Sequence, residues 1–342
     1  MTKSGHSVSF YEKDVPYYAT TRDGWRCPDG VTLQIYRSLD EIRSVALRDL
    51  DCADLALWTS YCPDGSAVAE MVLGSRAAIR GFYDLDTPIT LSALRAGAAV
   101  EYLPAAGLRD CDLVLSYTGG RALSELRRLL GAERVAPLYG WFTPETHYPT
   151  AAVEEFRGAL CYLGTFAQDR QAALQELFVE TARRMRSERF VMGGAQYPDS
   201  FPWLPNIYFV RHLPPSLHGA FFCSSRATLN ITRSSMAEYG YCPSGRLFEA
   251  AACGAPMISD WWVGLETFFA PGEEILQVSS SEDVMAALTL SDGELRRIGD
   301  AARQRAMEQH TAESRVLELE AICEAVLSDG KQRRVADTAE VA

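Results

Sequence analysis

The feature that most constrains this chain is an alternation of short apolar runs with amphipathic segments, repeated in two series. SVSFYE (7–12), VTLQIYR (31–37), ADLALWTS (53–60), IRGFYDLD (79–86), CDLVLSY (111–117) and RVAPLY (134–139) have the length and the β-branched or aromatic content of buried strands. Between them, SLDEIRSVALRDL (38–50) predicts a helix with Ser38 as N-cap and Glu41 as the glutamate of a capping box, and ALSELRRLLG (122–131) predicts one ending on a glycine C-cap. Strands that alternate with helices in this way predict a parallel sheet.

A turn-rich stretch, WFTPETHYPT (141–150), separates this series from a second one. ALCYLG (159–164), a helix over 168–185, RFVMGG (189–194), NIYFVR (206–211), ATLNIT (227–232), a helix from about Ser244, PMISD (256–260) and EILQV (274–278) follow in order. Two α/β domains joined near residue 150 suit a chain of 342 residues at roughly 150 residues per domain, and a ligand is expected in the cleft between them. The chain closes with helical patterns at 292–309 and 312–327 and a polar tail, expected to be disordered.

Charge and cysteine usage exclude several function classes. With 33 basic against 45 acidic residues the formal charge is −12, which would repel a phosphate polymer, so nucleic acid is not an expected partner. No run of about 18 apolar residues offers a membrane span and the first residues lack an apolar leader, so a cytoplasmic location is expected. Nine cysteines without a CxxC pair predict reduced thiols, and five histidines without zinc-site spacing predict no structural metal; His212 and His218 read as ordinary polar groups.

The segment with most chemical content is CPSGRLFEAAACGAPMISDWWVGLETFFAPGEEIL (242–276), a turn, helix, strand and loop. Ser244 is a good N-cap with Gly245 after it, and the free N–H groups of a helix start attract an anion. Arg246 adds a cationic donor for a diphosphate, and Glu249, one turn on, suits a sugar hydroxyl. A purely structural reading is also open: Ser244 as a cap, Arg246 solvated, Glu249 complementing the helix dipole.

This string, with CYLGTFAQDRQAAL (161–174), LNITRSSMAEYGYCPSGRLFEA (229–250), FYEKDVPYY (10–18), FYDLDTPIT (82–90) and LSYTGG (115–120), resembles the CgeB/YkvP-like glycosyltransferases of the spore-maturation-protein type, within the group-1 glycosyltransferases of GT-B fold. The resemblance implies two facing Rossmann-like domains: residues 1–150 for the acceptor, 151–308 for a nucleotide-sugar donor, and a helix over 309–328 returning to the first domain before a disordered 329–342. It implies Gly164 and Thr165 close to the donor diphosphate, Arg233 and Arg246 as its cations, Glu249 on the nucleotide ribose, and His212 in the loop that reads the base. Either arginine could instead pair with a carboxylate. The wider superfamily has two glutamates separated by seven residues; here Tyr241 stands eight positions before Glu249, so neither the sugar-contacting carboxylate nor the stereochemical course carries over.

In the first half, Glu12 and Asp14 fall just past the first strand, where an acceptor base is expected, with Asp14 the leading candidate; pairing with Lys13 or Arg22 is the alternative. Asp84 and Asp86 have the spacing of a metal-binding DxD pair but lie in the acceptor half, so they read as residues lining the cleft, as do Thr118, Gly119 and Gly120. Trp261, Trp262, Tyr197, Phe201 and Trp203 read as core or interface aromatics. The activity expected is metal-independent glycosyl transfer from a UDP- or dTDP-linked sugar, without an organic cofactor, to an acceptor hydroxyl or similar nucleophile. The alternatives are a nucleotide-sugar 2-epimerase and a non-catalytic nucleotide-sugar or glycan-binding protein.

Overall fold

A computed structural model describes residues 1–16 and 27–340, with side chains to residue 329. Tyr17, Tyr18 and Arg22 of the sequence reading, and the final two positions of the expected tail, lie outside the described residues. The chain divides into two compact units, Met1–Leu138 together with Val316 onward, and Tyr139–Arg315.

The first unit carries two parallel sheets. Strands β1 (Val8–Lys13) and β2 (Val31–Tyr36) pair with each other as a two-stranded sheet among the described residues, and β3 (Leu55–Thr59), β4 (Ile79–Asp84), β5 (Leu113–Ser116) and β6 (Val135–Pro137) form a four-stranded sheet in sequential order. Helices α1 (Leu39–Asp51), α2 (Gly65–Leu73), α3 (Thr87–Arg95) and α4 (Arg121–Leu130) make the crossovers. The strands read from hydrophobic runs are all present, and α4 ends on Gly131 in the left-handed conformation, φ 72°. Helices α2 and α3 are short, nine residues each, and fill inter-strand stretches for which the sequence sets no helix bounds.

The capping box at α1 is a correction. Ser38 makes no side-chain cap bond, and Glu41 reaches past it to accept from the Arg37 backbone N–H at 3.1 Å. Two capping boxes do form in the second unit, Ser280 with Asp283 and Ser291 with Glu294, each with both reciprocal bonds.

The second unit is built on one six-stranded parallel sheet: β7 (Gly158–Leu163), β8 (Phe190–Gly194), β9 (Ile207–Arg211), β10 (Ser225–Asn230), β11 (Met257–Ser259) and β12 (Leu276–Gln277). Its spatial order, β12-β11-β10-β7-β8-β9, is the doubly wound Rossmann order, in which the chain reverses its direction of progress between β7 and β10. Sequence periodicity locates strands but carries no information on this order. The helical run over 168–184 is segmented, with a π-helical turn at Gln175–Glu180 between short α-helical pieces. Helices α5 (His218–Ser224), α6 (Ser234–Tyr239), α7 (Gly245–Ala252), α8 (Ser281–Leu288) and α9 (Asp292–Gln309) cover the sheet.

The last helix, α10 (Ala312–Glu340), is continuous through most of the stretch expected as a disordered tail. Its Leu319, Ile322, Cys323 and Val326 pack on the first unit's core of Ile79, Tyr83, Leu113, Leu115 and Leu138. All nine cysteines are free thiols. No helix among the described residues is long and apolar enough to cross a membrane.

Candidate functional site

Because every strand of the six-stranded sheet runs the same way, the loops after β7, β8, β9 and β10 gather at one edge, and the switch point lies between β7 and β10. Gly164 leaves β7 here. Its N–H donates to the Gly193 carbonyl at 2.9 Å, its carbonyl accepts from Tyr197 Oη at 2.9 Å, and a Cβ at this position would stand 2.6 Å from Tyr162 Oη. Only glycine fits, and it holds the backbone of Thr165 close to the sheet.

Two arginines converge on that loop. Arg170 is buried and donates Nη2 to the Thr165 carbonyl, while its Nε has no partner. Arg246, in the first turn of α7, has Nη1 buried without a partner. Both guanidinium carbons lie 5.8 Å from the centroid of the Tyr162 ring. Among the described residues neither forms an ion pair with a carboxylate. Burial, with Arg246 and Arg233 nearby, pulls Arg170 below its ordinary value, which marks a cation held at a cost in the ligand-free chain.

Arg233, expected to be the diphosphate's second cation, is instead paired: its Nε donates to both oxygens of Asp169 at 3.0 and 3.1 Å, and Ser235 donates to the same carboxylate. Ser244 caps α7 by position but makes no side-chain cap bond, and Gly245 is the first helical residue. The N–H groups of that first turn therefore lie next to Arg246. His212 follows β9 with φ 53° and donates its backbone N–H to the Gly194 carbonyl at 2.8 Å. At the far side of the switch point, Asp260 accepts from the Thr232 N–H and hydroxyl, tying the end of β10 to the end of β11. Tyr241 takes a left-handed conformation, φ 46°, and donates its N–H to the Val263 carbonyl.

Glu249 faces imidazoles. Its Oε2 lies 3.0 Å from His218 Nδ1 and its Oε1 3.9 Å from His147 Nε2. Burial pushes its carboxyl up, but the His218 hydrogen bond and the charges of His218, His147 and Arg246 outweigh that and hold it below the ordinary value. Burial lowers His147, against the pull of Glu249 and of the Thr143 backbone, and neither ring nitrogen makes a hydrogen bond of good geometry among the described residues. His147 comes from the turn-rich stretch before β7, where no periodicity or spacing marks it. Arg170 was legible only as the arginine six residues after the strand-end glycine, in a segment already singled out for its resemblance.

In the first unit, the edge beyond β4 and β5 holds the other candidates. Asp84 is fully buried, accepts from the Asp86 N–H at 3.1 Å and from Thr90 Oγ1 at 3.1 Å, and leaves Oδ2 without a partner. Burial raises it to about 6. Asp86 accepts from Tyr61 Oη at 2.7 Å, and Tyr61 is exposed with φ 65°. Ser116, the β5 residue paired with Asp84, accepts from the Thr118 N–H at 3.1 Å, and Gly120 caps α4 with φ 55°. Asp84, Asp86, Thr118, Gly119 and Gly120 are thus neighbours on one sheet edge. Glu12 lies inside β1 rather than beyond it, and Asp14 just past its end, donating its N–H to the Tyr36 carbonyl at 2.7 Å. Lys13 pairs with Asp64 at 2.7 Å, not with Asp14. Of the aromatics, Tyr197 packs among Phe166, Phe201, Trp203 and Phe209, and Trp262 is buried whereas Trp261 is exposed.

The fold has solved counterparts. Sucrose-phosphate synthase from Thermosynechococcus elongatus superposes with a TM-score of 0.70 at 13% identity, over 96% of this chain and 91% of that one. Anabaena HepE in complex with UDP-glucose gives 0.62 at 11% identity, over 94% and 99%. T4 phage BGT in complex with its UDP-glucose substrate gives 0.55 at 12%, over 95% and 98%. The chain has the GT-B fold of these proteins. Residues 170–321, spanning Arg170, Arg246 and Glu249, match the family model described as glycosyl transferase-like. No curated protein sequence matches. The family match and the fold together support an enzyme of the glycosyltransferase class, as the sequence indicated.

Proposed function

We propose that the chain is a CgeB/YkvP-like glycosyltransferase that moves a sugar from a UDP- or dTDP-linked donor to an acceptor hydroxyl or similar nucleophile. The observation that carries this reading is a buried arginine, Arg170, beside a half-buried one, Arg246, each with one solvent-excluded guanidinium nitrogen, Arg170 Nε and Arg246 Nη1, that no described residue bonds, at the switch point of a Rossmann sheet. In a chain of net charge −12, cations without acidic partners call for an anionic ligand. The neighbours solved with UDP-glucose are consistent with a nucleotide-sugar diphosphate as that ligand.

In this reading the diphosphate lies over the Gly164–Thr165 backbone and the α7 start at Ser244 and Gly245, with Arg246 and Arg170 on its oxygens and Arg233 screened by Asp169. As the glycosidic bond breaks, negative charge grows on the leaving diphosphate, and fixed guanidinium and backbone donors stabilise it without a metal ion on the phosphates. Glu249 takes a ribose hydroxyl and His212 flanks the base. The first unit presents the acceptor beside Asp84, Asp86, Thr118, Gly119 and Gly120, and Asp14, with Glu12 behind it, removes the acceptor proton.

The test is a panel of nucleotide sugars scored by thermal stabilisation, in which a donor at 100 times its Kd adds about 2.7 kcal/mol, followed by product analysis. A stabilising donor whose sugar reaches an acceptor or water, with both effects lost in a folded Arg246→Ala variant, is expected. Conversion of the donor to its epimer, or binding without any turnover, would overturn transfer; unchanged donor binding in Arg246→Ala would overturn the clamp.

A further inference from the structure

The histidine–glutamate cluster invites a different ligand. His147, His218 and Glu249 each offer one ligand atom, and all three atoms lie within 4.8 Å of one another. Glu249 Oε2 lies 3.0 Å from His218 Nδ1 and its other oxygen, Oε1, 3.9 Å from His147 Nε2, so a small movement of the side chains brings one carboxylate oxygen and both imidazoles to the roughly 3.0–3.5 Å that neighbouring ligands of one ion adopt when each sits about 2.0–2.1 Å from it. The imidazole centroids are 6.3 Å apart and the rings inclined at 42°, so they converge side by side rather than stack.

His147 supplies the second observation. Both of its ring nitrogens are shut off from solvent and neither makes a hydrogen bond of good geometry among the described residues, the Thr143 backbone being the polar group beside the ring, so a buried imidazole is left short of partners. Its neighbours do not relieve it: Glu249 is engaged by His218, and His218 reaches Glu249 rather than His147. An under-partnered imidazole beside one carboxylate and a second imidazole is a group that a cation completes.

The three side chains also come from three separate segments, the 141–150 stretch, the first residue of α5 and the second turn of α7. An ion there clips that stretch to the two helices.

We propose that His147, His218 and Glu249 form a binding site for a divalent first-row transition ion. Two imidazoles and one carboxylate are the donor set of zinc and of its neighbours in the series, whereas magnesium and calcium favour oxygen-only shells. A carboxylate bound through one oxygen keeps the other for a hydroxyl donor, so the site and a ribose contact by Glu249 are compatible. The ion is distinct from any on the donor phosphates, and its presence does not depend on the chain being a transferase.

The experiment uses the full chain, free of any affinity tag, stripped with a chelator and titrated with Zn²⁺ against a chromogenic competitor, then with Co²⁺ while the visible d–d bands are recorded. No nucleotide sugar is present, so the outcome is independent of donor binding. One equivalent bound with Kd below about 1 μM, Co²⁺ bands of a nitrogen–oxygen site, and a loss of at least about 100-fold in both His147→Ala and Glu249→Gln are expected. The fold of each variant is verified by circular dichroism, and His218→Ala is measured alongside in case one of them unfolds. Binding weaker than about 100 μM, less than half an equivalent, or affinity unchanged by the variants would overturn the site and leave a plain His218–Glu249 hydrogen bond.

Discussion

The same place in the two units, the edge where parallel strands end, carries opposite chemistry. Beyond β4 and β5 the first unit gathers carboxyl and hydroxyl groups, Asp84, Thr90 and Ser116 buried, Asp86 half-buried and Tyr61 exposed. Beyond β7 and β10 the second unit gathers guanidiniums, with imidazoles one turn along α7. The net charge of −12 is therefore not spread evenly. The first edge suits a neutral ligand rich in hydroxyls, the second an anion, and each unit stores its own ionisable group in the form that burial favours.

The largest expected effect comes from removing one cation from the second edge. Arg170→Met keeps the side-chain length and an apolar stem but deletes a buried charge without an acidic partner. Donor affinity should fall by about 100-fold or more, about 3 kcal/mol, measured by isothermal titration with the donor the panel identifies. The ligand-free variant should melt at or above the wild-type temperature, because a buried unpaired cation no longer has to be accommodated. A destabilised variant with intact donor binding would make Arg170 a structural residue and remove half of the contrast between the two edges.

How much of this was legible depends on which physical signal each feature leaves in the chain. Buried strands leave apolar runs, so all of the expected strands are present, and the α7 start was legible because Ser-Gly-Arg combines a cap, a small residue and a cation. The order of strands leaves none: β10 neighbours β7 through pairs such as Thr228 with Cys161, set by packing of distant segments. For the same reason the sequence could not show that Asp169 would take Arg233, or that His147 would reach Glu249 from more than a hundred residues upstream. Ser38 and Glu41 had the right spacing for a capping box, yet a spacing rule does not fix the side-chain rotamer, and Glu41 bonds one residue farther back.

The second unit's buried base sets the next effect. His310 lies among Phe248, Phe268 and Phe269, with Nε2 on the Phe268 carbonyl and Nδ1 accepting from Arg315, so only the neutral ring fits. Burial lowers it from 6.5 to about 4. The folded value lies below the unfolded one, so its contribution is present above pH 6.5 and is lost as pH falls toward 4. That loss amounts to about 3 kcal/mol over the window. In urea unfolding from pH 4 to 7, the wild-type chain should lose stability on acidification more steeply than His310→Gln; parallel curves would place the ring in solvent contact.

The first unit should respond in the other direction, and somewhat more weakly. Asp84 is raised from 3.8 to about 6, so the folded chain holds a proton that the unfolded chain releases. Its contribution is complete below pH 3.8 and is lost as pH rises through 6, at most about 2–3 kcal/mol. Asp84→Asn keeps an oxygen for the Asp86 N–H and the Thr90 hydroxyl while removing the charge, so the difference in stability between variant and wild type should grow in the variant's favour from pH 4 to 6 and then level off. The hydroxyls around Asp84 accept or donate equally well, which is why a protonated acid is tolerated there, whereas the donor-only guanidiniums of Arg170 and Arg246 at the second edge leave N–H groups that suit an anion. If the Asp84→Asn difference were instead constant with pH, the carboxylate would be ionised in the fold, and the first edge would then need a cation of its own.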